Sequence, residues 1–144
     1  MADQNYGNHK QYVTAFHKIL FPLVAATFVG SLVNLYKSMD VEGALYSASL
    51  ISALSLAVLI LMFLARIFPL KAQDRAIRAE ENLRHYVLTG KLIDPRLSML
   101  QVVALRFAPD AELPELARKA ADQGLSPNDI KLAIKTWKGD HYRV

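Results

Sequence analysis

Glu81 and His85 stand one helical turn apart, a spacing that lets a carboxylate and an imidazole take two positions around a metal ion. Carboxylate-bridged di-metal bundles place the histidine three residues after the glutamate and need a second copy of that pattern. Here the third position is Arg84 and no second copy exists, so the pair reads better as part of a solvated helix face. Asp140-His141-Tyr142 has the residue types of a proton-transfer cluster, but at the end of the chain it reads as a tail that packs or docks. The sequence has no glycine-rich phosphate loop, paired-histidine zinc motif or nucleophile elbow. Cysteine is absent, which removes disulfides, thiolate nucleophiles and zinc–thiolate sites and fits a reducing compartment. These residues imply no enzyme, catalytic residue, cofactor, metal or small-molecule substrate.

A second chemistry is contact with nucleic acid. Leu116 to Lys138 reads helix, glycine-containing turn, helix, and Lys131, Lys135 and Lys138 fall on one helical face that phosphates would meet. Lys119 and Gln123 fill two positions that a helix-turn-helix keeps apolar, and acids are scattered through the segment. The same lysines serve equally as a solvated face, a docking surface or a contact with anionic lipid headgroups.

The elements that would carry these residues divide the chain in two. Of 144 residues, 53% are hydrophobic, and the excess lies in two blocks of the first half. Ala44 to Phe68 carries no charge before Arg66. At about 1.5 Å per residue such a helix crosses a hydrocarbon core of roughly 30 Å with some tilt. Ile19 to Tyr36 is a shorter uncharged run with Pro22 in its first turn, where a missing amide costs little. Its Ala26, Gly30 and Asn34 recur every four residues and are expected to pair with Ala48, Ser52 and Ser55 of the second run as a hairpin. Neither run holds an ionisable residue at mid-depth, so a transport path would need several copies lined by Ser47, Ser52 and Ser55.

Charge sets the expected orientation. The connector Lys37 to Gly43 has one base against two acids, whereas Lys10 and Lys18 precede the first run and Arg66, Lys71, Arg75, Arg78 and Arg84 follow the second. The basic excess marks the cytoplasmic side, so both termini face the cytoplasm and the connector faces out. Tyr12, Phe16, Tyr36, Tyr46 and Phe68 fall where aromatic belts sit. Residues 1–18 read as an interfacial lead-in with Tyr12, Val13, Phe16 and Ile19 on one face. A cleaved signal peptide fits less well, because the run ends in Asn34-Leu35-Tyr36-Lys37, a poor cleavage site.

From Pro69, which should kink or break the helix, the chain becomes charge-rich. Leu70 to Leu88 predicts a helix stopped by Gly90, with Ala76, Ala79, Leu83, Tyr86 and Val87 as its apolar stripe. Asp74 with Arg78 and Glu80 with Arg84 sit at ion-pair spacing. Three short helices follow. Ser98 and Gln101 form a capping box ahead of Leu100, Val103, Ala104 and Phe107. Leu113, Leu116, Ala117, Ala120 and Ala121 make the next stripe, ending at Gly124. Ser126-Pro127-Asn128-Asp129 opens a last helix carrying Ile130, Ala133, Ile134 and Trp137.

The start Asn5-Tyr6-Gly7-Asn8-His9, the block Lys71 to Ala108 with Arg78-Ala79-Glu80-Glu81-Asn82-Leu83-Arg84-His85, and the ending Leu125 to Val144 with its Asp140-His141-Tyr142-Arg143 tail together carry a resemblance. Over almost the whole chain the sequence resembles a family of small bacterial two-span membrane proteins known only as a domain of unknown function. That resemblance implies an uncleaved bacterial membrane protein and brings no activity, cofactor or catalytic residue with it.

The expectation is therefore an all-α protein in three parts. Residues 1–18 form the lead-in, 19–68 a transmembrane hairpin with spans near 19–36 and 44–68, and 69–144 a cytoplasmic domain of about four helices. The expected role is a non-catalytic, multi-pass protein of the bacterial inner membrane, an accessory subunit or self-associating scaffold. Its expected partners are the bilayer, other membrane proteins or further copies. The expected docking surface is Arg78, Glu81, Arg84 and His85 with Lys131, Lys135, Lys138, Asp140, Tyr142 and Arg143. The alternative is a membrane-tethered nucleic-acid binder.

Overall fold

The computed structural model describes residues 4–9 and 13–140, and the elements below are drawn from these. Among them every regular element is helical: α1 (Phe21–Lys37), α2 (Ala44–Thr89), α3 (Met99–Leu105), α4 (Leu113–Gln123) and α5 (Pro127–Ala133). Two compact units result. One takes residues 13–69; the other takes 70–140 together with 4–9.

In the first unit, Ala15–Leu20 adopts a π-helical turn that runs into α1, and the Phe21 amide donates to Phe16 O five residues back. Pro22 explains the wider turn, since its ring crowds the carbonyl four residues earlier and it has no amide to bond there. The chain reverses between Ser38 and Gly43, whose φ of +78° belongs to glycine's range. α1 and the first part of α2 then lie side by side. Phe21 meets Phe63 edge-on at 6.2 Å, and the Arg66 guanidinium sits 5.8 Å over the Phe16 ring.

The hairpin packs on a different stripe of α1 from the expected one. Val24, Ser31 and Ser38 are buried, whereas Ala26, Gly30 and Asn34 are exposed. A Cβ placed on Gly30 would meet nothing within 4 Å, so no backbone approaches it closely. On α2 the buried residues are Ala48, Ser52, Ser55 and Met62. Hydroxyl chemistry decides the rotation. Ser31 Oγ and Ser55 Oγ share a hydrogen bond of 2.8 Å, and Ser52 Oγ donates to Ser31 O at 3.0 Å. In apolar surroundings these bonds hold the helices more firmly than small-residue contact alone.

Of the kink or break expected at Pro69, the break does not occur: α2 runs unbroken through it. One missing amide removes one ladder bond, and the strong helix formers of Leu70–Leu88 carry the helix on to Thr89, where Gly90 at φ +70° ends it.

The second unit is built around Phe107, Leu97, Leu105, Leu113, Ile130 and Val102, all fully buried. Both expected caps form. Ser98 and Gln101 cap α3 reciprocally, and Ser126 and Asp129 do the same for α5. α4 buries Leu113, Leu116, Ala117 and Ala120 of its predicted stripe and leaves Ala121 half-buried, and Gly124 at φ +62° lets the Leu125 amide reach back to Ala120 O at 3.1 Å.

Two stripes differ from expectation. Leu100 is exposed while Val102 is buried, and Phe107 lies beyond the end of α3. α5 stops at Ala133, with Ile134 extended at ψ 122° and Trp137 outside the helix. The Glu112 carboxylate is the reason: it accepts the Lys135 and Thr136 amides at 3.0 Å each, drawing the chain out of its helix.

Residues 4–9, expected in an interfacial lead-in, belong instead to the second unit. His9 is buried, with its ring centroid 5.6 Å from Trp137 and 5.9 Å from Phe107. Gln4 holds Asp140 by two bonds, accepting its amide at 2.8 Å and donating to its carbonyl at 3.2 Å.

Candidate functional site

The helix segment expected to face a partner turns Glu81 and Arg84 inward and leaves Glu80 exposed. Beyond Pro69 the buried residues of α2 are Ile77 and Glu81, with Arg78, Asn82, Arg84 and His85 half-buried. The expected apolar stripe is the exposed one: Leu83 is 64%, Tyr86 53% and Val87 75% exposed, and Ala76 and Ala79 are exposed beside them.

Arg84 organises the inward face. Its Nη1 donates to Glu81 Oε2 at 2.9 Å, its Nε to Asp110 Oδ1 at 2.6 Å and its Nη2 to Ala108 O at 2.7 Å. The planar guanidinium is suited to three partners in fixed directions, which an ammonium would not reach together. The expected Glu80–Arg84 pair gives way to this arrangement. Hydrogen bonds from Arg84 and its charge also hold the Asp110 carboxyl below its usual value.

The metal reading of Glu81 and His85 meets two engaged side chains. Glu81 is bound by Arg84, and His85 Nδ1 lies 2.7 Å from Lys91 O and 3.2 Å from Thr89 Oγ1, tying down the chain just past the helix end. Among the described residues no group of three or more histidines and carboxylates converges as a metal site.

The lysines do not form one helical stripe, because α5 ends before Lys135. Lys131 Nζ lies 3.2 Å from His9 Nε2, whereas Lys135 and Lys138 are exposed, the latter donating its amide to Phe107 O at 2.8 Å. Asp140 Oδ2 stands 3.2 Å from Arg106 Nε, and Tyr142 and Arg143 lie outside the described residues, as does His141. An open cleft of about 270 Å³ is lined by Glu80, Glu81, Arg106, Lys138 and Asp140 among others. Its charges are of both signs, and it pairs no nucleophile with a base.

A second ionic link ties the approach to α3 onto α4. Arg96 meets Asp94 at 2.6 Å and Asp122 at 2.9 Å. The Arg96 side chain and then its backbone amide lower the Asp94 carboxyl to about 2, and the two aspartates raise the guanidinium. A lowered carboxyl adds stability that is present above its unfolded pKa of about 3.9 and lost as pH falls through the folded value. Solvent keeps that contribution small, because the Arg96 side chain is 60% exposed. In Arg96→Ala the Asp94 carboxyl is expected to rise part of the way from about 2 towards the ordinary carboxylate value, since the backbone amide at position 96 still donates to it at 2.9 Å; its NMR chemical shift follows the change, and an unmoved midpoint would refute the assignment.

Sequence reasoning missed the role of Gln4 and His9. The signal present was the turn former Asn5-Tyr6-Gly7-Asn8, in which Asn5 Oδ1 accepts the Gly7 amide at 2.8 Å. Residues 1–144 match the family described as a family of unknown function, DUF6526. No curated protein and no solved structure matches the chain.

Proposed function

The chain belongs to this family of unknown function, and from that premise we propose that it is a non-catalytic integral membrane protein. Two apolar helices anchor a small helical unit that serves protein–protein contact, as an accessory subunit or self-associating scaffold of a membrane assembly. One observation carries the reading: the two long helices turn their apolar side chains outward. Two helices are long and apolar enough to cross a membrane, and only 11% and 22% of their most apolar windows is buried. A core helix of a water-soluble protein would be mostly covered. Leu23, Val29, Leu54, Leu61 and Phe68 instead stand in the open, each 60% exposed or more.

The polar groups of the hairpin support the same medium. Ser31, Ser52 and Ser55 satisfy one another or their own helix backbone, as hydrocarbon surroundings require. α2 has 46 residues, more than the roughly 20 that a span requires. The basic excess after the second span, against Asp40 and Glu42 in the connector, supports an orientation with both termini in the cytoplasm of a bacterial inner membrane.

Reporter fusions test this directly. A fluorescent protein that folds only in the cytoplasm should be bright after Val144, and alkaline phosphatase inserted at Asp40 should be active. The reverse pattern, or recovery of the chain in the soluble fraction after lysis, would sink the proposal.

A further inference from the structure

Resting on the reading of an anchored interaction unit, we propose that the outward face of α2 beyond Pro69 is the surface on which a second copy of the chain docks. The two α2 helices would run parallel as a short coiled coil. Ala76, Ala79, Leu83 and Tyr86 are spaced three, four and three residues apart, the a and d positions of a heptad. All four are exposed; Ala76, with Glu80, also edges the cleft lined by Ile77 and Glu81, while Ala79, Leu83 and Tyr86 stand clear of it. The helix therefore carries a second apolar face that its own chain leaves open. The alanines let a neighbouring helix come close, and Leu83 and Tyr86 supply the area.

Charge selects the occupant and its direction. In this register Arg75 is a g position and Glu80 the e position of the following heptad. A parallel pair sets Arg75 of each copy against Glu80 of the other, twice by symmetry. An antiparallel pair sets g against g and e against e, like charge against like. Both side chains are exposed, and among the described residues neither takes part in an ion pair. An anionic lipid surface is the poorer occupant, because Glu80 borders the stripe.

The chain has no cysteine, so single cysteines report on this face without interference. Leu83→Cys and Tyr86→Cys in the full chain, oxidised in native membranes, should each give a disulfide-linked dimer, since facing a and d positions bring Cα atoms within about 7 Å. Lys119→Cys, exposed on α4, should stay monomeric. Arg75→Glu added to Leu83→Cys should cut the cross-linked yield about fivefold, and adding Glu80→Arg as well should restore it. Cross-linking indifferent to charge reversal would overturn the parallel register. If neither cysteine cross-links while the chain remains in washed membranes as part of a larger complex, this surface is wrong and the anchored-scaffold reading stands. If cross-linking fails and the chain is soluble, the premise falls with it. A solvatochromic dye at Cys-substituted position 83 that blue-shifts only on anionic vesicles would assign the face to lipid and overturn the proposal.

Discussion

Arg84→Ala is expected to destabilise the helical unit by about 3 kcal/mol, because it strands Glu81 in the interior. The Glu81 side chain is only 8% exposed, at the edge of the open cleft, and its partner Arg84 is 13% exposed, so both charges are largely desolvated. Removing one member of a buried pair costs more than the pair contributes, since the remaining charge keeps its desolvation penalty and loses its compensation. Two further bonds go with it, to Asp110 and to Ala108 O, and these join α2 to the segment between α3 and α4. Arg84→Lys should recover part of the loss, restoring charge without the fork that meets three acceptors. Glu81→Gln combined with Arg84→Ala should cost less than Arg84→Ala alone, because no stranded charge remains. The measurement is denaturation of the full-length protein in mild detergent, followed by Trp137 fluorescence. Equal stabilities for Arg84→Ala and wild type would show that the inward polar face is not a structural joint. By contrast, Arg96→Ala removes exposed pairs and should change stability little.

Leu54→Arg gives the second large effect, and its sign separates a membrane protein from a soluble one. Leu54 lies near the middle of the uncharged run and is 66% exposed. An arginine at the centre of a spanning helix costs about 3 kcal/mol, roughly a hundredfold in the insertion equilibrium. Carbonate-washed membranes should therefore retain much less of the variant, and the cytoplasmic reporter signal should fall with it. On a water-exposed helix the same substitution would leave the amount unchanged or improve solubility. Tyr46→Arg, close to the helix start, should be tolerated because its side chain snorkels to the interface. An undiminished membrane fraction for Leu54→Arg would remove the support for a spanning α2.

Much of the fold was legible in local signals. Ser98 with Gln101 and Ser126 with Asp129 announce helix starts because the side chain and the amide it satisfies are three residues apart. Gly90 and Gly124 announce stops because each adopts a backbone conformation that other residues resist. The α4 stripe was legible because its apolar residues offer one face and leave no competitor. The helix beyond Pro69 offers two faces, and its pattern favoured the wrong one for the core. Which face is buried depends on Asp110 and Ala108, 26 and 24 residues away from Arg84, and no local periodicity contains them.

The surroundings of the expected docking residues depend on the same distant contacts. Arg78, Glu81, Arg84 and His85 look like a charged exterior in sequence, but Glu81 is buried and the other three are half-buried, while Leu83 and Tyr86 turn out. Lys131, Lys135 and Lys138 look like one helical face, but the Glu112 carboxylate ends α5 first. By itself the sequence determined the helical class, the two apolar runs and nearly every cap, all of which follow from residues within a turn or two of one another. The rotation of the hairpin about Ser31, the inward face of α2, the early end of α5 and the clasp of Gln4 on Asp140 were decided only by tertiary structure. Each rests on a hydrogen bond between residues distant along the chain, whose strength depends on burial that exists only after folding.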